Sequence, residues 1–346
     1  MKKEKNRYIP IPGKHCESSA IVNALIFQSY FITEEQVIGA GAAPGFVYEK
    51  TGFPFLGGRS HTMKGCFFRT CMIPHTFKEK STVSDWNDIE HCINQNIPVI
   101  LRVDMRFLPY LFNGKFGPRH MSFGWHYVTL FGLDNEKKIA QVSDTSFSEL
   151  KDISYNALKK ARFSKTKVYP PNGEYYYFYK SDTNFSINWN EIAMLSLKQY
   201  FFNMNEKSEQ KNQLKGLSGL HKLTEDILGL PKTVMPFLVG AILDFHYGCI
   251  EINGTGGSAF RTMYYRFLEK HLSCDNRNII LASAKQCELS WHNLAETYKY
   301  GACIYNKETK VRKKELLLNI SERIKNVYEA ENEMNCLIKE LFNLSN

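Results

Sequence analysis

The run Gly13-Lys14-His15-Cys16-Glu17-Ser18-Ser19-Ala20, with the apolar residues 21–31 behind it, limits most sharply what the first part of this chain can become. A glycine, a short polar segment and then apolar residues at Ala20, Ala24, Phe27 and Phe31, with Ile21 and Leu25 beside them, predict a loop turning into a buried amphipathic helix. Cys16 falls in its first turn. There the unpaired backbone N–H groups and the positive end of the helix dipole favour a thiolate, which is how a cysteine becomes nucleophilic near neutral pH. A buried cysteine at a helix start is equally ordinary packing, so a partner base must separate the two readings.

Downstream, 97–104, 126–133, 139–144 and 175–179 read as strands, with 134–138 a turn between the second and third. Residues 81–94 read as a helix started by Ser84 or Asp85. The first part is therefore expected to be α+β, a helix in front of an antiparallel sheet. The glycines of 39–45 lack the Lys-Ser/Thr of a phosphate loop and read as a tight turn before a short strand, as does the turn Leu56-Gly57-Gly58-Arg59. His61, Cys66, Cys71 and His75 have spacings that match no common zinc site, so core and strand packing is expected there and no metal.

From about residue 188 the pattern is helical, over 192–205, 217–228, 259–271 and 279–298, interrupted by Gly254-Thr255-Gly256-Gly257. This places the domains at 1–187 and 188–346. Residues 310–344 form one long amphipathic helix with a heptad at Leu317, Ile320, Ile324, Val327, Met334, Ile338 and Leu341, broken at Glu331. Such a stripe serves either a homodimer seam or docking against its own domain.

Composition narrows the setting. The start of the chain is charged but runs into Tyr8-Ile9-Pro10-Ile11-Pro12, too short and proline-broken for a signal-peptide core, and the apolar stretch 233–245 is well under a membrane span. Nine scattered cysteines, an odd number, suggest reduced thiols. A cytoplasmic protein with no membrane segment is expected. Of the net charge of +9, most lies before residue 185, with 24 basic against 17 acidic residues there and 20 against 18 after it. That bias suits an anionic partner or a phosphate-bearing substrate arm, and no basic run with interleaved aromatics points to nucleic acid.

Cys16 on a helix start, His126 opening one strand and Asp144 ending the next are the parts of a thiol-nucleophile site in a papain-like arrangement. If the strands are hairpin partners, the histidine and aspartate lie close across the pair. Cys16 would then attack a carbonyl, His126 would shuttle the proton, and Asp144 would fix the imidazole. His15 adjoins Cys16 and should point elsewhere on the turn. His120, the other competitor for the base, lies in the loop before the strand, where it is expected to line the mouth as a substrate contact.

These residues resemble a known family. His15-Cys16-Glu17-Ser18-Ser19-Ala20, Gly39-x-Gly41, Gly45-Phe46-x-Tyr48, Leu56-Gly57-Gly58-Arg59, Asp104 with Leu108-Pro109-Tyr110, His120 with His126, Gly132-x-Asp134 and Asp144 are similar to the N-terminal domain of the butirosin biosynthesis protein H family. Gly216-Leu217-Ser218-Gly219-Leu220, the stretch from Gly254 through Phe260-Arg261-x-x-Tyr264 to Phe267-Leu268, and Trp291 resemble the helical domain that accompanies it.

The resemblance implies a papain-like fold followed by a mainly α-helical domain. It also implies an acyltransferase, in the biosynthesis of an amide-bearing natural product such as an antibiotic. Its cysteine takes an acyl group from an acyl or peptidyl carrier-protein thioester and passes it to a small-molecule amine. The substrate arrives on a phosphopantetheine arm, and no further cofactor is implied. By residue, the nucleophile falls on Cys16, the base on His126 and the third member on Asp144; Asp104 and Arg261 join His120 as substrate contacts. One departure is that 9–13 offers no glutamine for the oxyanion hole, so the Cys16 N–H and a neighbouring donor must serve. A cysteine peptidase or amidohydrolase with the same triad is the alternative, and a non-catalytic binding or self-resistance protein on the same fold is a third.

Overall fold

The structure, a computed structural model, describes residues 8–41, 44–50, 53–59, 77–83, 86–112, 122–167, 169–180, 187–208 and 212–344. The chain opens with α1 (Cys16–Phe27) and α2 (Glu34–Ala40), followed by two short strands, β1 (Val47–Glu49) and β2 (Phe55–Gly57). Next come β3 (Phe77–Val83), α3 (Trp86–Asn94), β4 (Val99–Val103), β5 (His126–Asp134), β6 (Ile139–Ser143), β7 (Lys151–Ser154), α4 (Tyr155–Arg162) and β8 (Glu174–Lys180). The remainder is helical apart from β9 (Gln213–Lys215). Its helices are α5 (Trp189–Met204), α6 (Gly216–Thr233), α7 (Val239–Tyr247), α8 (Arg261–His271), α9 (Arg277–Ile304) and α10 (Lys310–Phe342). The fold class is α+β, as expected. Two compact units form, one from residues 1–37 and 72–186, the other from 38–71 and 187–346.

The first unit is built on an antiparallel sheet in the order β3-β8-β4-β5-β6-β7. Its central strands are apolar almost throughout because both faces are covered. Val99, Leu101, Val103, Val128, Leu130, Val142 and Tyr175 pack with Ile89 of α3 and Leu158 and Ala161 of α4. Alternation sends Ile100, Tyr127, Thr129 and Tyr176 to the opposite face, where α1 packs on β5, β4 and β8. Ile21 and Leu25 of α1 are completely buried, contributing about 1.5–3 kcal/mol each. The Thr129 hydroxyl donates to the Ala20 carbonyl at 3.0 Å, fixing the helix along the sheet.

Two sequence expectations shift here. The helix runs from Cys16 only to Phe27, and Phe31 is exposed rather than part of its buried face. Residues 77–83, partly expected as helix, form the edge strand β3, and the helix starts at Trp86. The Ser84 and Asp85 cap lies outside the described residues, as do His61, Cys66, Cys71 and His75. Among the described residues no cluster of His, Cys, Asp and Glu could hold a metal ion, and no helix is long and apolar enough to cross a membrane. The seven described cysteines are free thiols.

In the second unit β1 pairs with β2 and β9, which is why residues 38–71 group there. The 33-residue α10, about 50 Å long, packs against α9, α6 and α5. Its heptad residues Leu317, Ile320, Ile324, Val327, Met334 and Ile338 are buried within the unit. The stripe is thus used for docking on its own unit, one of the two uses expected of it. The break at Glu331 is a buried carboxylate. It accepts from Arg261 Nε at 2.7 Å, from Trp291 Nε1 at 2.7 Å and from the Tyr200 hydroxyl.

Candidate active site

The turn between β5 and β6 fixes which residues share a face. Asp134 Oδ1 accepts from the backbone N–H groups of Glu136 at 3.2 Å and Lys137 at 3.0 Å, and Lys138 takes a left-handed φ of 55°, closing the ribbon. Thr129 then pairs with Ser143. Carrying that register one step on sets Asp144 opposite Val128, a diagonal neighbour of His126 on the same face. The side chains meet: His126 Nε2 lies 2.9 and 3.0 Å from Asp144 Oδ1 and Oδ2. Asp144 Oδ1 also accepts from the Thr145 N–H at 2.6 Å, and Oδ2 accepts from the Tyr110 hydroxyl at 3.0 Å. Burial, then the charge and hydrogen bond of Asp144, push the Tyr110 phenol well up, so it stays protonated and donates.

Cys16 is brought to this pair from α1. The His15 ring caps the helix, accepting from the Ser18 N–H at 3.2 Å, and is thereby turned to the cap rather than the thiol. The loop ahead of the helix is held by Glu34, whose Oε2 accepts from the Lys14 N–H at 2.8 Å. Its Oε1 accepts from the His15 N–H at 2.7 Å and the Ser18 hydroxyl at 2.8 Å. Burial raises the Glu34 carboxyl although these bonds oppose it. The Gly13 N–H donates to the Thr145 carbonyl at 2.8 Å, and Asn23 grips both backbone groups of Ile11. The partly exposed Cys16 thiol lies 3.9 Å from the Trp125 carbonyl and close enough to His126 to help raise the histidine's pKa.

Burial would lower the His126 pKa. The charge and hydrogen bond of Asp144, with a further contribution from Cys16, outweigh it and hold the imidazolium well above the ordinary 6.5. Asp144 is opposed by burial too, yet His126, Tyr110 and Thr145 bring it below 3.8. The sign of the linkage follows. The raised histidine stabilises the fold fully below about 6.5 and loses that stabilisation as pH rises through its folded pKa. The depressed aspartate stabilises above about 3.8 and loses it as pH falls through its folded pKa. Thermal melts across pH should show the pair strongest between those limits, and Asp144→Asn should flatten the decline on the alkaline side.

Of the expected substrate contacts, Asp104 and Arg261 lie among the described residues, and each is engaged by other groups of its own unit. Asp104 is fully buried in the first unit with its carboxylate taken up by protein donors. Arg261 is buried in the second unit, paired with Glu331 and donating to the carbonyls of Gly58, Ala259 and Gly45. Both side chains are buried and engaged by protein partners. His120 lies outside the described residues. Tyr110, Glu34 and Thr145 were given no role by the sequence reading. Tyr110 stood in a motif already singled out, whereas Glu34 acts on residues some 20 positions back and carries no local signal.

Residues 15–145 match the family model for butirosin biosynthesis protein H, N-terminal, and residues 156–336 match that of a domain of unknown function (DUF4872). Comparison with curated proteins gives no match. With this second model covering more than half of the chain, the protein belongs to the DUF4872 family, carried behind a butirosin biosynthesis protein H N-terminal domain.

Proposed function

We propose that the protein is a cysteine-dependent acyltransferase of papain-like design that moves an acyl group from a carrier-protein thioester through Cys16 to an amine. The observation that supports it most is a partly exposed thiol at a helix N-terminus beside a histidine whose Nε2 is held by a buried carboxylate. The matched family name points to antibiotic biosynthesis, and a cytoplasmic location belongs to the same reading.

The chemistry follows from these groups. The Cys16 thiolate attacks the thioester carbonyl, and the tetrahedral oxyanion is stabilised by N–H groups of the first turn of α1. Collapse breaks the bond to the carrier thiol, which leaves with the proton of the His126 imidazolium. An amine then attacks the Cys16 thioester while neutral His126 takes its proton. Expulsion of Cys16 as thiolate restores the ion pair and releases an amide. Asp144, oriented by Tyr110 and Thr145, holds the ring in one tautomer throughout.

Intact-protein mass spectrometry after exposure to a pantetheine-like acyl thioester, with and without amines, tests the proposal. The expected result is a mass gain on the native protein, absent from Cys16→Ala, that amines discharge to an amide. Discharge to free acid whatever the amine would make it a hydrolase, and turnover by Cys16→Ala would remove the nucleophile assignment. Lys159, Lys160, Lys165 and Lys167 are exposed in a stretch with no acidic residue, suiting an acidic carrier. Carrier affinity should fall as salt rises, and an affinity indifferent to salt counts against that partner.

A further inference from the structure

Among the buried carboxylates of the first unit, Asp104 is one that the mechanism leaves unused. Strand β4 ends at Val103, which pairs with His126, and Asp104 follows with no exposed surface. Its Oδ1 accepts from the Arg106 N–H at 3.1 Å and the Phe123 N–H at 3.1 Å. Oδ2 accepts from the Ser122 hydroxyl at 2.5 Å and the Ser164 hydroxyl at 2.6 Å. Capping the three-residue turn Met105–Phe107 needs only the first of these bonds. Burying a charge for so short a turn is costly, and the other three bonds say what else it holds.

Two of the donors belong to the segment that runs into His126. The same segment is gripped further along by Arg102, two positions before Asp104. Its Nε donates to the Gly124 carbonyl at 3.0 Å, and its guanidinium lies 5.7 Å from the centre of the Trp125 ring. Arg102 is in turn fixed by Glu174 at 3.1 Å and the Tyr169 carbonyl at 3.3 Å. The Met105 N–H closes the clamp on the Phe123 carbonyl at 3.1 Å. At Gly124 a Cβ would stand 2.3 Å from the Tyr169 carbonyl oxygen, so that position admits no side chain. Residues 122–125 are thus held one after another, and what they deliver is the Trp125 carbonyl beside the Cys16 sulfur and, one residue on, His126 itself.

We propose that Asp104 is a positioning residue, whose carboxylate pins residues 122–125 and so sets His126 and the Trp125 carbonyl against Cys16. This rests on the thiol–imidazole reading of the site. A misplacement of the order of 1 Å transmitted to the imidazole can cost about 100-fold in rate. Loosening one bond of the clamp should cost about tenfold.

Ser122 and Ser164 make the test, because they donate to the same oxygen over nearly the same distance, yet only Ser122 lies on the segment that carries His126. Alkylation of Cys16 by iodoacetamide, located by mass, is followed at pH 6 and pH 9 together with the melting temperature. On the proposed thiol–imidazole site, the native protein is expected to react at pH 6 at a rate close to that at pH 9. The result expected is that Ser122→Ala and Asp104→Asn lower the ratio of the two rates about tenfold. Ser164→Ala should melt lower by a similar amount to Ser122→Ala but keep the native ratio. Should Asp104→Asn fail to fold, the serine pair decides alone. Equal change of the ratio in both serine variants, or change in neither, overturns the proposal. A native thiol with the pH profile of an ordinary cysteine overturns the site reading and the proposal with it, an outcome distinct from the first.

Discussion

His126→Ala is expected to reduce acyl transfer by about 10⁵–10⁶-fold, close to the loss from removing Cys16 itself. The two act as one unit. In the proposed mechanism the imidazole protonates the departing carrier thiol and accepts the proton of the attacking amine, so its loss leaves both transfers unserved. Asp144 is not expected to substitute, since its carboxylate is engaged by His126 Nε2, the Tyr110 hydroxyl and the Thr145 N–H. Asp144→Asn should cost less, about 10⁴-fold, because the ring stays in place while its tautomer is no longer enforced. Single-turnover release of thiol from an acyl thioester measures both. A His126→Ala chain within tenfold of the native rate would show that another base serves Cys16.

Glu331→Ala is expected to destabilise the helical unit by about 3–5 kcal/mol, roughly a 10 °C fall in its melting temperature. The carboxylate is the shared acceptor of Arg261, Trp291 and Tyr200, and its removal leaves a fully buried guanidinium without a counter-charge. Burial alone would lower the Arg261 pKa, and Glu331 is the largest reason that it is instead raised. The double change Arg261→Met with Glu331→Leu should regain most of the loss, since replacing both partners with apolar groups of similar volume leaves no charge stranded. Thermal unfolding of the two variants decides it. Equal destabilisation by the single and double changes would mean that packing volume, not the stranded charge, carries the effect.

How much of this was legible in the chain depends on the range over which each signal acts. The hairpin of β5 and β6 was readable because apolar alternation and an Asp-Asn turn are local, and the meeting of His126 with Asp144 then follows from register. Strand β3 was not, since Phe77-Lys78-Glu79-Lys80-Ser81 is charged in the manner of edge strands and lacks an apolar face to declare it. That 38–71 belongs with the helices rests on three-residue strands whose partner, β9, comes more than 150 residues later. Glu331 read as a flaw in a heptad because its meaning lies with Arg261, 70 residues away. Arg261 in turn looked accessible beside a glycine-rich turn. In the fold Ser258, Ala259 and Phe260 all take positive φ, of 49°, 49° and 75°, and α8 begins only at Arg261, which is buried.

The hydrogen bond from Gly13 to the Thr145 carbonyl changes what kind of segment carries the nucleophile. By composition residues 9–14 are a loop, free to breathe independently of the sheet. Through that bond, three residues before Cys16 and one after Asp144, the loop is stitched to the end of β6. Sulfur and carboxylate therefore sit on one covalent and hydrogen-bonded ring. A fluctuation that lifts the start of α1 must also pull on the strand end beside Asp144, so the amide proton of Gly13 should exchange with solvent on the timescale of sheet opening rather than that of loop motion.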